Sequence, residues 1–585
     1  MGAGSRAAWL RSMRRGAGGD TLEKNGAAPG SRYRCRMDGE IRVPDPASRC
    51  QAEDVHGASE VIAPTAVDWQ DDDWRGRPWG QTVLYELHVG SFTEQGSFAA
   101  VQARLDYLAA LGVTAVELMP VADFPGRRDW GYDGVFPFGV DRRYGRPDEL
   151  KALVQAAHAR ELMVFLDVVY NHFGPEGNYL HRYAPAFFTE RHHTPWGAAI
   201  NFDGEQSHWV RQFFIHNALY WLEEFHFDGL RLDAVHAIID DSRPDILEEL
   251  ASAVRHGPGR HRHIHLVLEN DDNAAHYLER AGGEPKYYVA QWNDDIHHAL
   301  HVLATGERGG YYRDYADAPI EHLERCLAEG FAYQGEPSRY REGATRGEPS
   351  GTLPPSAFVS FVQNHDQVGN RAFGERLTTL APATAVRAVT AVILLAPAPP
   401  LLFMGQEWGN EQPFPFFCNF GADLAEAVTE GRRREFARFP EFADPAVREK
   451  IPDPMAESTF ASAILRWDET ERPAPKAWLE WHRNLLRIRH DEIIPRLVEG
   501  NTQVVERRTL SARAVRVQWR LGDGALLTLS ANLGAEPLLS ADLPPGRQLV
   551  LVADGQRPDS DQGGAMPPWS VSCHLLEPPG SARDE

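Results

Sequence analysis

From Thr82 onward the chain alternates short apolar runs with longer segments of helical periodicity. This alternation predicts parallel strands joined by crossover helices, because parallel neighbours need a long return connection. Eight such runs can be counted, the number that closes a (β/α)₈ TIM barrel. The predicted strands are 83–89, 113–118, 162–169, 227–233, 265–269, 286–289, 357–362 and 400–404.

Two of these runs end on a carboxylate: Asp233 closes 227–233 and Glu269 closes 265–269. A barrel presents its catalytic groups at the carboxyl ends of its strands. Cleavage of a glycosidic bond needs two carboxyl groups in different environments, one held protonated and one ionised. The pair therefore indicates a glycoside hydrolase or transferase.

Further polar clusters follow strands three, four, five and seven, at 167–172, 231–236, 269–270 and 363–367. Strand ends converge on one cavity in a barrel, so we expect these side chains to meet there. The candidate residues are Asp167, His172, Arg231, Asp233, His236, Glu269, His365 and Asp366.

A mechanism follows from these residue types. Asp233, kept ionised by Arg231, would attack the anomeric carbon, and a less solvated Glu269 would protonate the leaving oxygen. In a retaining enzyme the two carboxyl groups should lie about 5–5.5 Å apart. Asp366 and His365 would hydrogen-bond sugar hydroxyls as the ring flattens.

The four clusters resemble the four conserved regions of the α-amylase superfamily, glycoside hydrolase family 13. The resemblance implies that Asp233 is the nucleophile, Glu269 the acid/base and Asp366 the transition-state stabiliser. It also implies supporting roles for Arg231, His172 and His365. Tyr132, in Gly131-Tyr132-Asp133, would stack on the sugar at the scissile bond.

Three further segments, 44–49, 84–90 and 291–298, resemble a branch of this superfamily that acts on glucans carrying a terminal trehalose. The implied reaction is hydrolysis of the α-1,4 bond next to that trehalose in malto-oligosyltrehalose, without a cofactor. The implied pathway partner is malto-oligosyltrehalose synthase, with no physical complex. Trp292 is the best candidate for a sugar-stacking ring, and Asn293 and Asp294 follow it on a strand-end loop.

Three alternatives remain: a 1,4-α-glucan branching enzyme, another α-glucan hydrolase, or a glucan-binding protein without activity. Two features also depart from the family pattern. The N-terminal β-sandwich is represented only by its last strands, and Gln406 occupies a position where a second Glu is expected.

The predicted organisation has four parts. Residues 1–31 form a disordered segment, and 32–80 a partial N-terminal β-domain and linker. Residues 81–495 form the catalytic barrel, with insertions at 170–206 and 306–355, and 496–585 form a C-terminal antiparallel β-domain.

Net charge and cysteine content limit the possible partners and the cellular compartment of this protein. A formal net charge of −23 argues against nucleic acid and against an anionic membrane surface. Five scattered cysteines favour a reducing compartment, and the first residues lack the apolar core of a secretory signal, so we expect a cytoplasmic protein. No metal is expected, because the alternating His261, His263 and His265 are more typical of a solvated lead-in to a strand.

Overall fold

The computed structural model describes residues 14–16, 19–21, 27–37, 41–63, 67–194, 197–437, 439, 442–497, 502–539, 542–553 and 565–578. Its centre is an eight-stranded parallel barrel. The strands are β1 (Leu84–Leu87), β2 (Ala115–Leu118), β3 (Met163–Val168), β4 (Gly229–Leu232), β5 (His265–Leu268), β6 (Ala290–Trp292), β7 (Phe358–Val359) and β8 (Leu401–Phe403).

The strands pair in sequence order, and β8 returns beside β1. Between β7 and β8 the sheet is joined by the bridge Ser360–Pro400, where the Leu401 N–H donates to Ser360 O at 2.9 Å. The predicted (β/α)₈ barrel is therefore confirmed.

Helices surround the barrel and connect its strands. The helix Phe98–Gln102 is capped by the Ser97 hydroxyl, which accepts from the Ala100 N–H. The helices are Val89–Phe92, Phe98–Gln102, Leu105–Leu111, Pro147–His158, Leu180–Tyr183, Ser207–Glu224, Ile246–His256, Asp294–Thr305, Pro319–Glu329, His365–Gly369, Leu377–Leu380, Ala383–Leu395, Ala422–Phe436, Pro445–Arg448, Glu457–Ala463 and Pro473–Ile488. None of the helices in the described ranges is long and apolar enough to cross a membrane.

The sixth strand was misplaced by the sequence: the prediction was 286–289, but the strand is Ala290–Trp292. Gln291 at its centre is fully buried, and its side-chain amide donates to Asn270 O at 3.0 Å. A buried polar residue interrupts the apolar run that marks the other strands, so the run could not locate this one.

A five-stranded antiparallel sheet follows the barrel, as predicted. It comprises β9 (Gln503–Ser511), β10 (Ala514–Arg520), β11 (Leu526–Asn532), β12 (Arg547–Val552) and β13 (Ser570–Leu576). The last strand, β13, lies between β11 and β12 in the sheet.

The described residues of the N-terminal part form short antiparallel pairs. Cys35–Met37 pairs with Ile41–Val43, consistent with the predicted hairpin, whose turn lies outside the described residues. Arg32–Tyr33 pairs with Ser59–Glu60, and Arg14–Gly16 with Gly19–Thr21. Most of the segment 1–31, which was expected to be disordered, also lies outside the described residues.

The two segments that were expected to be insertions, 170–206 and 306–355, both contain secondary structure. The first has the hairpin Phe188–Thr194 with Gly197–Ile200. The second, 306–355, was expected to be a loop but contains the helix Pro319–Glu329 and the strand pair Glu336–Pro337 with Thr345–Arg346.

Gln406 is buried just after β8. Its amide oxygen accepts from the Phe403 N–H at 3.3 Å, while the neighbouring Glu407 accepts from the hydroxyls of Tyr85 at 2.9 Å and Tyr107 at 3.0 Å. A neutral amide beside a buried Glu407 avoids placing two carboxylates together in the core. Through its hydrogen bond with the Phe403 N–H, Gln406 anchors the loop after β8.

A charged cluster joins the segment before the barrel to the end at which the strands begin. His158 contacts Asp71 through Nδ1 at 2.7 Å and Asp228 through Nε2 at 3.0 Å. All three side chains are at most 5% exposed. Burial opposes a charge on His158, but the two carboxylates raise its pKa.

We expect His158→Gln to lower the free energy of unfolding by about 3 kcal/mol, because it leaves two buried carboxylates without their shared partner. A raised pKa in the folded state contributes stability that is complete below the ordinary histidine value and is lost as pH rises through the folded value. Unfolding measured near about pH 6 and about pH 9 should show a larger defect at the lower pH. The control is His256→Gln on an exposed helix surface; a defect that grows with pH would contradict this assignment.

Candidate active site

The site is organised around Arg231, a fully buried residue of β4. Its Nη1 donates to Asp167 Oδ2 at 2.6 Å and to Asp233 Oδ1 at 2.8 Å. Its Nη2 donates to Glu269 Oε2 at 3.1 Å and lies 3.9 Å from Asp366 Oδ2. One guanidinium therefore gathers four of the predicted carboxylates.

Strand register explains why Asp233 and Glu269 reach the same place. The Asp233 N–H donates to Val168 O, and the Glu269 N–H donates to Leu232 O, both at 3.0 Å. Both residues thus continue the parallel ladders of β3, β4 and β5 by one step beyond the regular strands, and lie at the mouth of the barrel.

The Glu269 carboxyl group is held in a desolvated position. Burial raises its pKa well above the ordinary range; Arg231 opposes this shift, and the charges of Asp233 and Asp366 add to it. Oε2 also accepts from the Ala234 N–H at 2.6 Å. This environment favours a protonated carboxylic acid at neutral pH.

The Asp233 carboxylate is oriented from both sides. Arg231 donates to Oδ1, and the Asn171 side-chain amide donates to Oδ2 at 2.8 Å and also to the Asp233 carbonyl at 2.8 Å. Asn171 lies in a predicted cluster, but it was not singled out as a functional residue. Its role depends on a contact 62 residues away in sequence, so no local pattern indicated it.

A second charged unit lies beside the carboxylates. His365 Nδ1 contacts Glu86 Oε1 at 2.5 Å, and its Nε2 contacts the Tyr132 hydroxyl at 2.8 Å and lies 3.4 Å from Asp366 Oδ1. Burial disfavours the imidazolium, but Asp366 and Glu86 raise the pKa of His365 to about 9. We therefore expect a charged His365 at neutral pH.

Sequence reasoning missed Glu86. An acidic residue within a buried strand was the available signal, since such residues rarely lie in a core without a partner. Both carboxylate oxygens of Glu86 contact His365, because Oε2 also accepts a hydrogen bond from the His365 backbone N–H at 3.0 Å.

Tyr132 forms the opposite side of the site. Its hydroxyl donates to Asp167 Oδ2 at 2.5 Å, and its ring stacks on His365 with centroids 5.1 Å apart. Gly131 precedes it with φ of +105°, and a Cβ there would lie 2.2 Å from Pro120 O. Only glycine can therefore bring Tyr132 into this position.

His172 completes this side. Its Nε2 contacts Tyr132 O at 3.0 Å, and burial lowers its pKa, so the ring is neutral near pH 7. Burial raises the pKa of Asp167 to about 6, against the opposing charge of Arg231.

Two predicted substrate-binding residues are buried instead. Trp292 is 1% exposed and lies under the Arg231 guanidinium, 4.2 Å from ring centroid to Cζ, so its face is not available to a sugar. Asn293 is also 1% exposed and caps the helix that begins at Asp294, accepting from the Ile296 N–H. Both expectations of substrate contact are corrected: Trp292 supports Arg231, and Asn293 is a helix cap.

The last two candidates lie at the opening. Asp294 accepts from the Gln367 side-chain amide at 2.9 Å, and burial raises its pKa to about 7. His236 is exposed, and its Nδ1 accepts from the Asp271 N–H at 3.3 Å. A role for either in substrate binding stays a prediction.

A cavity of about 260 Å³ extends from these carboxyl groups. Glu269, Asp294 and Asp366 line its inner side, and Tyr311 and Arg341 belong to its outer wall. The outer wall comes mainly from the insertion 306–355. Polar and aromatic side chains together suit a carbohydrate, whose rings offer both hydroxyls and apolar faces.

Among the described residues, His192, Asp203 and Asp241 form one cluster with spacing suited to a metal ion. Arg191 already donates into it, at 3.3 Å from Asp203 and 2.7 Å from Asp241. One guanidinium therefore already pairs with both carboxylates of the cluster.

These features define an α-amylase-type glycoside hydrolase. Residues 76–196 match the family described as "Alpha amylase, catalytic domain", and residues 505–573 match a domain of unknown function, DUF3459.

The malto-oligosyltrehalose trehalohydrolase of Saccharolobus solfataricus is 42% identical over 80% of this chain and 79% of its own length. That of Deinococcus radiodurans is 41% identical over 90% of this chain and 85% of its own. A crystal structure of a putative α-amylase from Salmonella typhimurium has a TM-score of 0.89 and 44% identity, covering 97% of this chain and 94% of that one. The chain belongs to the malto-oligosyltrehalose trehalohydrolase family.

We expect Glu269→Gln to lower kcat/KM on glucans by about 10²–10⁴-fold, because a neutral amide cannot protonate the leaving oxygen. The raised pKa of Glu269 should set the alkaline limb of the kcat/KM profile, and this limb should disappear in the variant. Glu480→Gln, on the helix Pro473–Ile488, is the matched control. An unchanged alkaline limb would assign the proton donor elsewhere.

Proposed function

We propose that this protein hydrolyses the α-1,4-glucosidic bond next to the terminal trehalose of malto-oligosyltrehalose. The products are trehalose and a malto-oligosaccharide, and the anomeric configuration is retained. One observation carries the chemistry: Arg231 contacts both Asp233 and Glu269, while Glu269 lies where burial keeps it protonated. Family membership and the names of the relatives support the choice of substrate.

The first step is displacement at the anomeric carbon. Asp233 attacks this carbon and forms a covalent glycosyl ester, while the glycosidic C–O bond breaks and Glu269 donates its proton to the departing oxygen. The contacts of Arg231 and Asn171 with the Asp233 carboxylate fix its direction of attack.

The second step releases the sugar. Glu269, now ionised, accepts a proton from water as the water oxygen attacks the anomeric carbon, and the ester bond to Asp233 breaks. Asp366 and the charged His365 would hold hydroxyls of the same sugar, and Tyr132 would lie against its ring. The negative charges of Asp233 and Asp366 favour the transition state, because positive charge develops on the flattened ring.

The trehalose unit would leave on the side of Glu269, because this residue protonates the departing oxygen. The cavity between Glu269 and the insertion 306–355 is the space available on that side. We propose that this cavity receives trehalose, with Asp294 among its ligands.

The same assignment implies a preceding enzyme that converts the reducing end of a malto-oligosaccharide into trehalose, malto-oligosyltrehalose synthase. We also propose a cytoplasmic location, where free thiols persist, since all five cysteines are free.

The principal alternative is a 1,4-α-glucan branching enzyme. It would form the same glycosyl ester but transfer the sugar to a glucan 6-hydroxyl. Products therefore decide between them: free trehalose supports hydrolysis, and new α-1,6 linkages support branching.

We expect the purified protein to release trehalose from maltotriosyltrehalose, measured by chromatography, and Asp233→Asn to reduce this release by at least about 10³-fold through loss of the nucleophile. Asp468→Asn, at a side chain that is 77% exposed, is the control. Turnover by Asp233→Asn at the wild-type rate would refute the mechanism.

A further inference from the structure

Asp295 carries a fully buried carboxylate next to the cleft, and the mechanism above does not use this residue. Its side chain is 0% exposed. It follows Asp294 at the start of the helix Asp294–Thr305 and points away from the reacting groups, toward the insertion.

Five hydrogen bonds converge on this one side chain. Oδ1 accepts from the Tyr315 hydroxyl at 2.5 Å and from Arg346 Nη1 at 2.6 Å. Oδ2 accepts from the Asn273 side-chain amide at 3.0 Å and from the backbone N–H groups of Ala332 at 2.8 Å and Tyr333 at 3.0 Å.

The donors come from two different segments. Asn273 belongs to the loop that follows Glu269, whereas Tyr315, Ala332, Tyr333 and Arg346 all belong to the insertion 306–355. The carboxylate therefore ties the loop that carries the acid to the segment that walls the cavity.

The contacts continue from this point to the cavity surface. Tyr333 donates from its hydroxyl to Asp314 O at 2.9 Å, and the Asp314 carboxylate accepts the Tyr340 N–H at 2.8 Å. Arg346 Nε donates to Asp271 O at 2.7 Å. Asp271, Asp314 and Tyr340 all line the cavity.

We propose that Asp295 is a positioning residue for leaving-group recognition: it holds the insertion 306–355 against the loop of Glu269 and so fixes the wall that binds the departing sugar. This inference rests on the proposed glucan hydrolysis. Its specific claim is that the carboxylate acts on the leaving-group side and not on the covalent chemistry at Asp233.

Asp295→Asn tests this claim with almost no change in volume. An amide has one acceptor and one donor end, and all five partners of Asp295 donate. Either orientation therefore sets an NH₂ group against donors, and the insertion has to shift. A displacement of about 1 Å at a substrate contact can cost about 10²-fold in rate.

The experiment compares substrates that differ in their leaving group. Maltotriosyltrehalose and maltopentaose need a sugar held on the leaving side, whereas α-maltosyl fluoride releases only fluoride and needs no sugar there. We expect Asp295→Asn to lower kcat/KM for maltotriosyltrehalose by about 10–100-fold, and turnover of the fluoride by less than about threefold, since Asp233 and its partners are untouched.

Asp228→Asn is the matched control, because Asp228 is equally buried, at 0% exposure, and accepts from Arg262 and Trp74 at the opposite end of the barrel. It should leave the ratio of the two activities unchanged. If Asp295→Asn lowered both activities by the same factor, or lowered neither, the ratio would be unchanged and the proposal would be overturned.

A second variant tests the proposal in case Asp295→Asn folds poorly. Asn273→Gly removes one of the five donors and suits the positive φ of 50° at this position. It should shift the ratio in the same direction by a smaller factor, and an unchanged ratio would again count against the proposal.

The failure of the proposed function would be visible separately. A wild-type protein that releases no trehalose from maltotriosyltrehalose would refute the substrate assignment. The ratio of maltopentaose to fluoride hydrolysis would still test the role of Asp295.

Discussion

The contact of one guanidinium with four carboxyl groups is the constraint on which the site depends. Removing Arg231 from water is costly, and its position is tenable because Asp167, Asp233 and Glu269 accept its hydrogen bonds and Asp366 lies 3.9 Å away. Trp292 supports its face. The barrel supplies this geometry, since strands β3, β4 and β5 deliver Asp167, Arg231, Asp233 and Glu269 from adjacent ladder positions.

Two buried acids near the mouth of the barrel, Glu269 and Asp295, differ in the direction of their pKa shifts. Burial disfavours the charged form of both Glu269 and Asp295. It raises the pKa of Glu269, whereas the charge of Arg346 and hydrogen bonds from Tyr315 and Tyr333 lower the pKa of Asp295 to about 2. Glu269 has two donors and three acidic neighbours instead. The balance of donors against nearby negative charge thus makes one residue a proton donor and the other a fixed anchor.

The sequence predicted what local patterns determine. Apolar runs located seven barrel strands, and residues at their carboxyl ends supplied Asp233, Glu269 and Arg231, because strand ends and barrel mouths coincide in any (β/α)₈ fold. It failed where a contact joins distant segments. Asn171 and Glu86 act through partners 62 and 279 residues away. For Trp292 the residue type suits a sugar, but the ring at the end of β6 is buried against Arg231.

The insertion 306–355 illustrates the remaining limit. Its composition indicated a polar loop, and composition alone cannot distinguish a solvated loop from one organised around an internal charge. Here Asp295, outside the insertion, supplies acceptors for two backbone N–H groups that would otherwise lack partners in a buried turn. A segment poor in apolar residues can therefore hold a defined shape against the barrel. That defined shape is what a cleft needs in order to discriminate between leaving sugars that differ only in how their last two glucose units are linked.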